Sequence, residues 1–145
     1  KLRASLRGKI VAALKESQAD THTSIPHLFA FNETMIDQCM TFLFAGHETT
    51  ASSLSFTFLL LGQHPQYRAA IANGDDALAL RVYKESLRIF PPAYMLAREA
   101  AVNCELGGQK IKKGSQVIVG VKQLHHHEGL HAEPAEFQPQ RFTNR

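Results

Sequence analysis

The stretch "FLFAGHETTASSLSFTFLLL", Phe42–Leu61, decides how this chain is read. It is long and apolar enough to suggest a membrane span, yet His47, Glu48, Thr49 and Thr50 occupy its middle. A midplane acid is costly in a bilayer unless partnered, so no membrane span is expected in this segment. A helix that runs through the body of a soluble protein fits better, because such a helix is apolar nearly all round. Asn32 or Thr34 can cap its start, and in "GQHPQ" Gly62 offers a left-handed cap while Pro65 prevents continuation. The helix so bounded has about thirty residues, well beyond the common length.

On its N-terminal side, "LRASLRGKIVAALKES" places Leu6, Ile10, Val11 and Leu14 on one face, which predicts an amphipathic helix. "THTSIPHLFAFNE" then reads as a loop. On the C-terminal side "PQYRAAIAN" predicts a short helix closed by Asn73 and Gly74. "DDALALRVYKESLRIF" predicts another, begun by an aspartate cap and stopped by Pro91 and Pro92. Strand patterns follow in "AREAAVNCELGG", "QKIKKG" and "SQVIVGV", with a turn at Gly107 and Gly108. The closing "HHHEGLHAEPAEFQPQRFTNR" reads as irregular. The chain is therefore mainly α with a small β part, without internal repeats.

Composition narrows the classes. With 145 residues and 44% hydrophobic content, the chain can build one core. The formal charge of +3 comes from scattered Lys and Arg rather than a basic face, which argues against nucleic acid as a partner. Two cysteines, Cys39 and Cys104, form no disulfide framework or ligand pattern. They read as small buried hydrophobes in a reducing, cytoplasmic setting. The opening "KLRASLRGKI" has neither an initiator methionine nor a signal core, so no targeting segment is expected.

Two constellations carry chemistry. Glu85 and Arg88, three apart on a helix, share a face and can form a charge-assisted pair. Most such pairs are solvated, but Tyr83, Leu87, Ile89 and Phe90 surround this one. A buried pair needs further hydrogen bonds, which a third charged group can supply. In "AGHETT", Thr49 can return its hydroxyl to the Ala45 carbonyl, and Gly46 weakens the same turn. Together they can open a groove for a diatomic ligand and a water, with Glu48 as proton source. The plainer alternative is that Thr49 and Thr50 satisfy themselves within a packed helix.

In order, "AGHETT", "KESLR", "PP" and "EFQPQRF" resemble the motifs of the cytochrome P-450 haem-thiolate monooxygenases, over essentially the whole chain. The resemblance implies a partial fold of that family: long central helix, Glu-x-x-Arg helix and short β-sheet. It maps Ala45, Gly46, Glu48, Thr49 and Thr50 onto the oxygen-binding groove, with Thr49 and Glu48 catalytic. It makes Glu85, Arg88 and Arg141 a structural triad, and Arg98 and His125 haem-binding residues. It further implies haem as cofactor, a lipophilic substrate, and a ferredoxin or flavoprotein reductase as electron donor. "AYMLA" after the prolines and Phe42–Ala45 would line the apolar pocket.

The departures are specific. Gln140 stands where the family's Pro-Glu-Arg-Phe motif has glutamate, and "HHHEG" keeps only His125 of the usual His-Arg-Asp. The family's cysteine loop does not follow within "RFTNR", and neither Cys39 nor Cys104 has its setting. Residues 1–145 are thus expected to be a single partial domain of a larger enzyme, inactive when isolated, with apolar faces of the central helix uncovered. The axial cysteine would lie beyond the chain end, leaving no metal ligand here. Two alternatives come from other classes. His125, His126, His127 and His131 could bind a metal, although neighbouring residues diverge. The chain could also be a helical interaction module without catalysis.

Overall fold

The computed structural model describes residues 2–17 and 33–143. The loop expected over 21–33 falls outside them except for Glu33, as does the candidate cap Asn32. The expected amphipathic helix is α1, Leu2–Ser17, and the long central helix is α2, Glu33–Gln63, of 31 residues. Then come α3, Pro65–Ala72, α4, Asp76–Ile89, and strands β1, Met95–Glu99, β2, Cys104–Leu106, β3, Gln109–Ile111, and β4, Gln116–Gly120. A short α5, Val121–His125, and a 3-10 turn, Pro139–Phe142, complete the order. The 3-10 turn lies where the sequence reads as irregular; α5 starts on Val121, the last residue of the expected strand, and a helix of five residues is too short to establish a period.

Local chemistry explains the boundaries. Gly62 does not cap α2, because the helix runs through it to Gln63 and its φ is not positive. The His64 ring closes that end instead, with Nδ1 2.8 Å from the Leu60 carbonyl, and Pro65 starts α3 without needing an N–H acceptor. Asn73 caps α3, and Gly74 follows with φ 93°. Asp75 caps α4 by accepting a hydrogen bond from the Leu78 amide at 2.8 Å. Asp75→Ala should cost about 1 kcal/mol, read as a lower urea midpoint at unchanged slope.

The residues gather into two compact units, Lys1–Glu48 and Thr49–Arg145. In the first, Met35 and Ile36 are buried with Ile10, Val11 and Cys39 against them. Arg7 of α1 forms ion pairs with Glu33 and Asp37 of α2. In the second, Leu60, Leu78, Val82, Ile89 and Phe137 form the core. Phe56 stacks on Phe90 at 4.4 Å, and Phe137 packs against the His64 ring at 4.8 Å. The small β part is two antiparallel pairs rather than one sheet. β1 pairs with β4, setting Arg98 opposite Val117, and β2 pairs with β3 across Gly107 and Gly108, whose φ values are 56° and 79°. Cys104 is exposed, not buried as its apolar character suggests, because both strands of its hairpin lie open to solvent.

Large apolar faces of α2 are uncovered: Phe42, Phe44 and Phe58 are 66%, 58% and 68% exposed. Among the described residues, no helix is long and apolar enough to cross a membrane.

Candidate functional site

The best-formed polar site is built on α4. The helix repeat puts Glu85 and Arg88 on its inner face, 0% and 3% exposed. Arg88 donates from Nε to Glu85 Oε2 at 2.7 Å and from Nη2 to Glu85 Oε1 at 2.8 Å, a bidentate fork. Arg141, from the 3-10 turn, brings Nε to 3.3 Å from Glu85 Oε1. The Gln138 amide donates to that oxygen at 2.9 Å. Glu85, Arg88 and Arg141 thus meet, as a buried pair lacking enough hydrogen bonds would require.

Two guanidinium groups on one carboxylate leave an excess positive charge. Backbone carbonyls take it up. Arg88 Nη1 donates to the carbonyls of His125 at 2.9 Å and Pro134 at 2.7 Å, and its Nη2 to that of Glu136 at 3.1 Å. Arg141 Nη2 donates to the Glu133 carbonyl at 2.8 Å. The irregular segment after α5 is therefore shaped by the charges it wraps. Sequence periodicity carries no trace of this, although the Pro139-Gln140-Arg141-Phe142 motif marks where it ends.

His131 lies at the rim of the cluster and is a residue that sequence reasoning missed as part of it. Burial first, then the positive charges of Arg88 and Arg141, lowers its pKa from the ordinary 6.5. A depressed histidine pKa means that, below about 6.5, the unfolded chain takes up a proton that the folded state resists. The stability His131 contributes is complete above that pH and is lost as pH falls toward its lower folded pKa. His131→Asn should flatten this part of a stability-versus-pH curve, checked by urea midpoints between pH 7.5 and 5.

The remaining candidates sit apart from the cluster. Ala45, Gly46 and Glu48 lie on α2 in the first unit, and Thr49 and Thr50 begin the second; all are exposed. Arg98 is exposed on β1, where Nη1 donates to the Ala97 carbonyl at 2.8 Å. It has no carboxylate partner among the described residues. His125 faces α4, with Nδ1 3.1 Å from the Arg88 carbonyl. A hollow of about 400 Å³ along α2 is lined by Asp37, Met40, Thr41 and Phe44; of the expected pocket residues only Phe44 takes part.

The histidine cluster disperses. His126 Nδ1 is 2.9 Å from the Lys122 carbonyl, and His127 Nδ1 accepts from the Gly129 amide at 3.0 Å. Among the described residues, no three His, Cys, Asp or Glu side chains converge as a metal site.

A mainly helical body thus carries a Glu-Arg-Arg cluster between α4 and the irregular segment after α5. The family model for cytochrome P450 matches residues 11–76 and 77–145. The chain belongs to the cytochrome P450 family, whose members are haem-iron oxidoreductases. It is 38% identical over 74% of its length to a cyclooctat-9-en-7-ol 5-monooxygenase from Streptomyces melanosporofaciens, covering 27% of that protein. It is 37% identical over 99% of its length to a cytokinin hydroxylase from Arabidopsis thaliana, covering 31% of that protein. The retinoic-acid-bound cyanobacterial CYP120A1 superposes over 97% of the chain with TM-score 0.81 at 29% identity, covering 39% of that structure. A six-coordinated cytochrome P450 from Thermus thermophilus covers the same share of the chain at TM-score 0.80 and 28% identity, 36% of its own length being matched. The chain spans about a quarter to a third of the length of these two curated relatives.

Proposed function

We propose that the chain is the distal, oxygen-activating part of a haem-dependent monooxygenase that hydroxylates a lipophilic organic substrate. Residues 1–145 would form one partial domain of that larger enzyme, with the cysteine ligand supplied from elsewhere in it. One observation carries the reading: the chain joins a complete buried Glu85–Arg88–Arg141 network to a 31-residue helix bearing Ala45–Thr50. The names of the similar proteins, a monooxygenase and a hydroxylase, support oxygen insertion as the reaction.

Haem, when bound, supplies the reduction of dioxygen. The exposed Arg98 guanidinium, which has no carboxylate partner among the described residues and matches a propionate in charge and shape, would hold it. His125 would lie beside it, its Nδ1 engaged by the Arg88 carbonyl. Thr49 Oγ1 would hold a proton donor at the oxygen-binding side, and the Glu48 carboxylate would pass protons to it from solvent. The exposed apolar side chains of Met95 and Leu96 would face the substrate and exclude water. Electrons would come from a ferredoxin or flavoprotein reductase, in a cytoplasmic setting.

The test is isotopic. The complete enzyme, given a reductase and a panel of lipophilic compounds under labelled dioxygen, should place one labelled oxygen atom in its product. Product oxygen drawn from water, or turnover without dioxygen, would contradict the assignment.

A further inference from the structure

Hydroxyl side chains along α2 mostly satisfy themselves. Thr41 donates to the Asp37 carbonyl, Ser55 to that of Ala51 and Thr57 to that of Ser53, each at 2.8 Å. Such bonds close within one turn and require nothing from another element. Ser53 departs from this pattern. It is 2% exposed, its Oγ donates three residues back to the Thr50 carbonyl at 2.9 Å, and Tyr83 Oη of α4 lies 3.2 Å away.

A hydroxyl has one proton. That of Ser53 is used on Thr50, so Tyr83 is the donor to Ser53 Oγ. The result is a directed chain, Tyr83 O–H to Ser53 Oγ and Ser53 O–H to the Thr50 carbonyl, in which each bond polarises the next. Tyr83 stands two residues before Glu85, on the helix held by the buried charge network. The Thr50 carbonyl belongs to the residue after Thr49. A helix carbonyl that also accepts a side-chain hydroxyl shares its ladder bond, which tilts it and bends the helix.

We infer that Ser53 and Tyr83 are positioning residues that transmit the placement of α4 to the Thr49–Thr50 turn, fixing the direction in which Thr49 presents its hydroxyl. This rests on the oxygen-activating reading of Thr49 given above. Neither residue touches the reacting atoms; each acts through the Thr50 carbonyl. Sequence spacing does not reveal the pair, since Ser53 and Tyr83 are brought together only by the packing of α2 on α4 within the second unit.

The experiment compares Tyr83→Phe, Ser53→Ala, their double variant and Thr49→Ala in the complete enzyme. Tyr83→Phe removes the donor and keeps the ring, so folding survives even if Ser53→Ala fails to fold. Two readouts are needed: hydrogen exchange of the backbone amides of residues 49–56 without haem, and product formed per electron with it. Tyr83→Phe should exchange about fivefold faster over that turn, the consequence of losing one net hydrogen bond. It should also form less product per electron, at normal haem content. The double variant should lose no more than Tyr83→Phe, because one chain is broken either way.

Parental exchange and coupling in Tyr83→Phe, with Thr49→Ala uncoupled, would overturn the inference and leave the oxygen-activating reading standing. Faster exchange with parental coupling would make the pair a strut and overturn it as well. Parental coupling in Thr49→Ala would remove the reading and the inference with it.

Discussion

Glu85→Gln should remove a large part of the protein's folding stability, although the new side chain has the same shape. Both guanidinium groups would then face a neutral amide in a site where Glu85 is 0% and Arg88 3% exposed. Removing one partner of a buried ionic network typically costs about 3–5 kcal/mol, because the others stay buried and unpaired. A domain has only about 5–15 kcal/mol in total, so the loss is a large part of it. Arg88→Ala should be as severe, since the His125, Pro134 and Glu136 carbonyls lose their donor together with Glu85. The contrast is Arg7→Ala. Arg7 pairs with Glu33 and Asp37 at the surface, where side-chain exposures are 37%, 79% and 65% and solvent screens the charges, so its removal should leave the unfolding midpoint nearly unchanged. Thermal unfolding followed by circular dichroism checks the series. A Glu85→Gln midpoint within a few degrees of the parent would show that the network does not hold the fold.

Much of this architecture is legible in the sequence, and the reasons differ by element. Helix α4 is written in full, by the Asp75 cap, the apolar face of Leu78, Val82 and Ile89, and the stop at Pro91. The end of α2 is legible only as a region. A glycine near a helix terminus suggests a cap, but the His64 ring reaches the Leu60 carbonyl first and the helix passes through Gly62. The turn at Gly107 and Gly108 is plain from the dipeptide. The exposure of Cys104 is not, since strand propensity does not say whether another layer covers the hairpin.

The candidate site divides in the same way. Glu85 and Arg88 announce themselves by spacing, while Arg141 is reached only through its motif, as its contact with Glu85 spans 56 residues. Gln138 contributes a backbone amide, which leaves no signature in side-chain identity. His131 and the Ser53–Tyr83 pair depend wholly on tertiary packing.

In the proposed enzyme Thr49 serves oxygen activation, and Thr49→Ala should have the second large effect. The loss of one hydroxyl on an exposed helix position should leave folding and haem incorporation unchanged, because substitutions away from buried networks usually stay within about 0.5 kcal/mol. The proton donor at the oxygen-binding side would be gone, and a positioned proton donor typically contributes about a hundredfold or more to a reaction step. Electrons would continue to flow while product falls and hydrogen peroxide is released. The deciding measurement is the ratio of product to reducing equivalents consumed in the complete enzyme, with peroxide assayed alongside. A steep fall in that ratio is expected for Thr49→Ala at normal haem content; a ratio equal to the parent's, with no added peroxide, would show that Thr49 takes no part in oxygen activation.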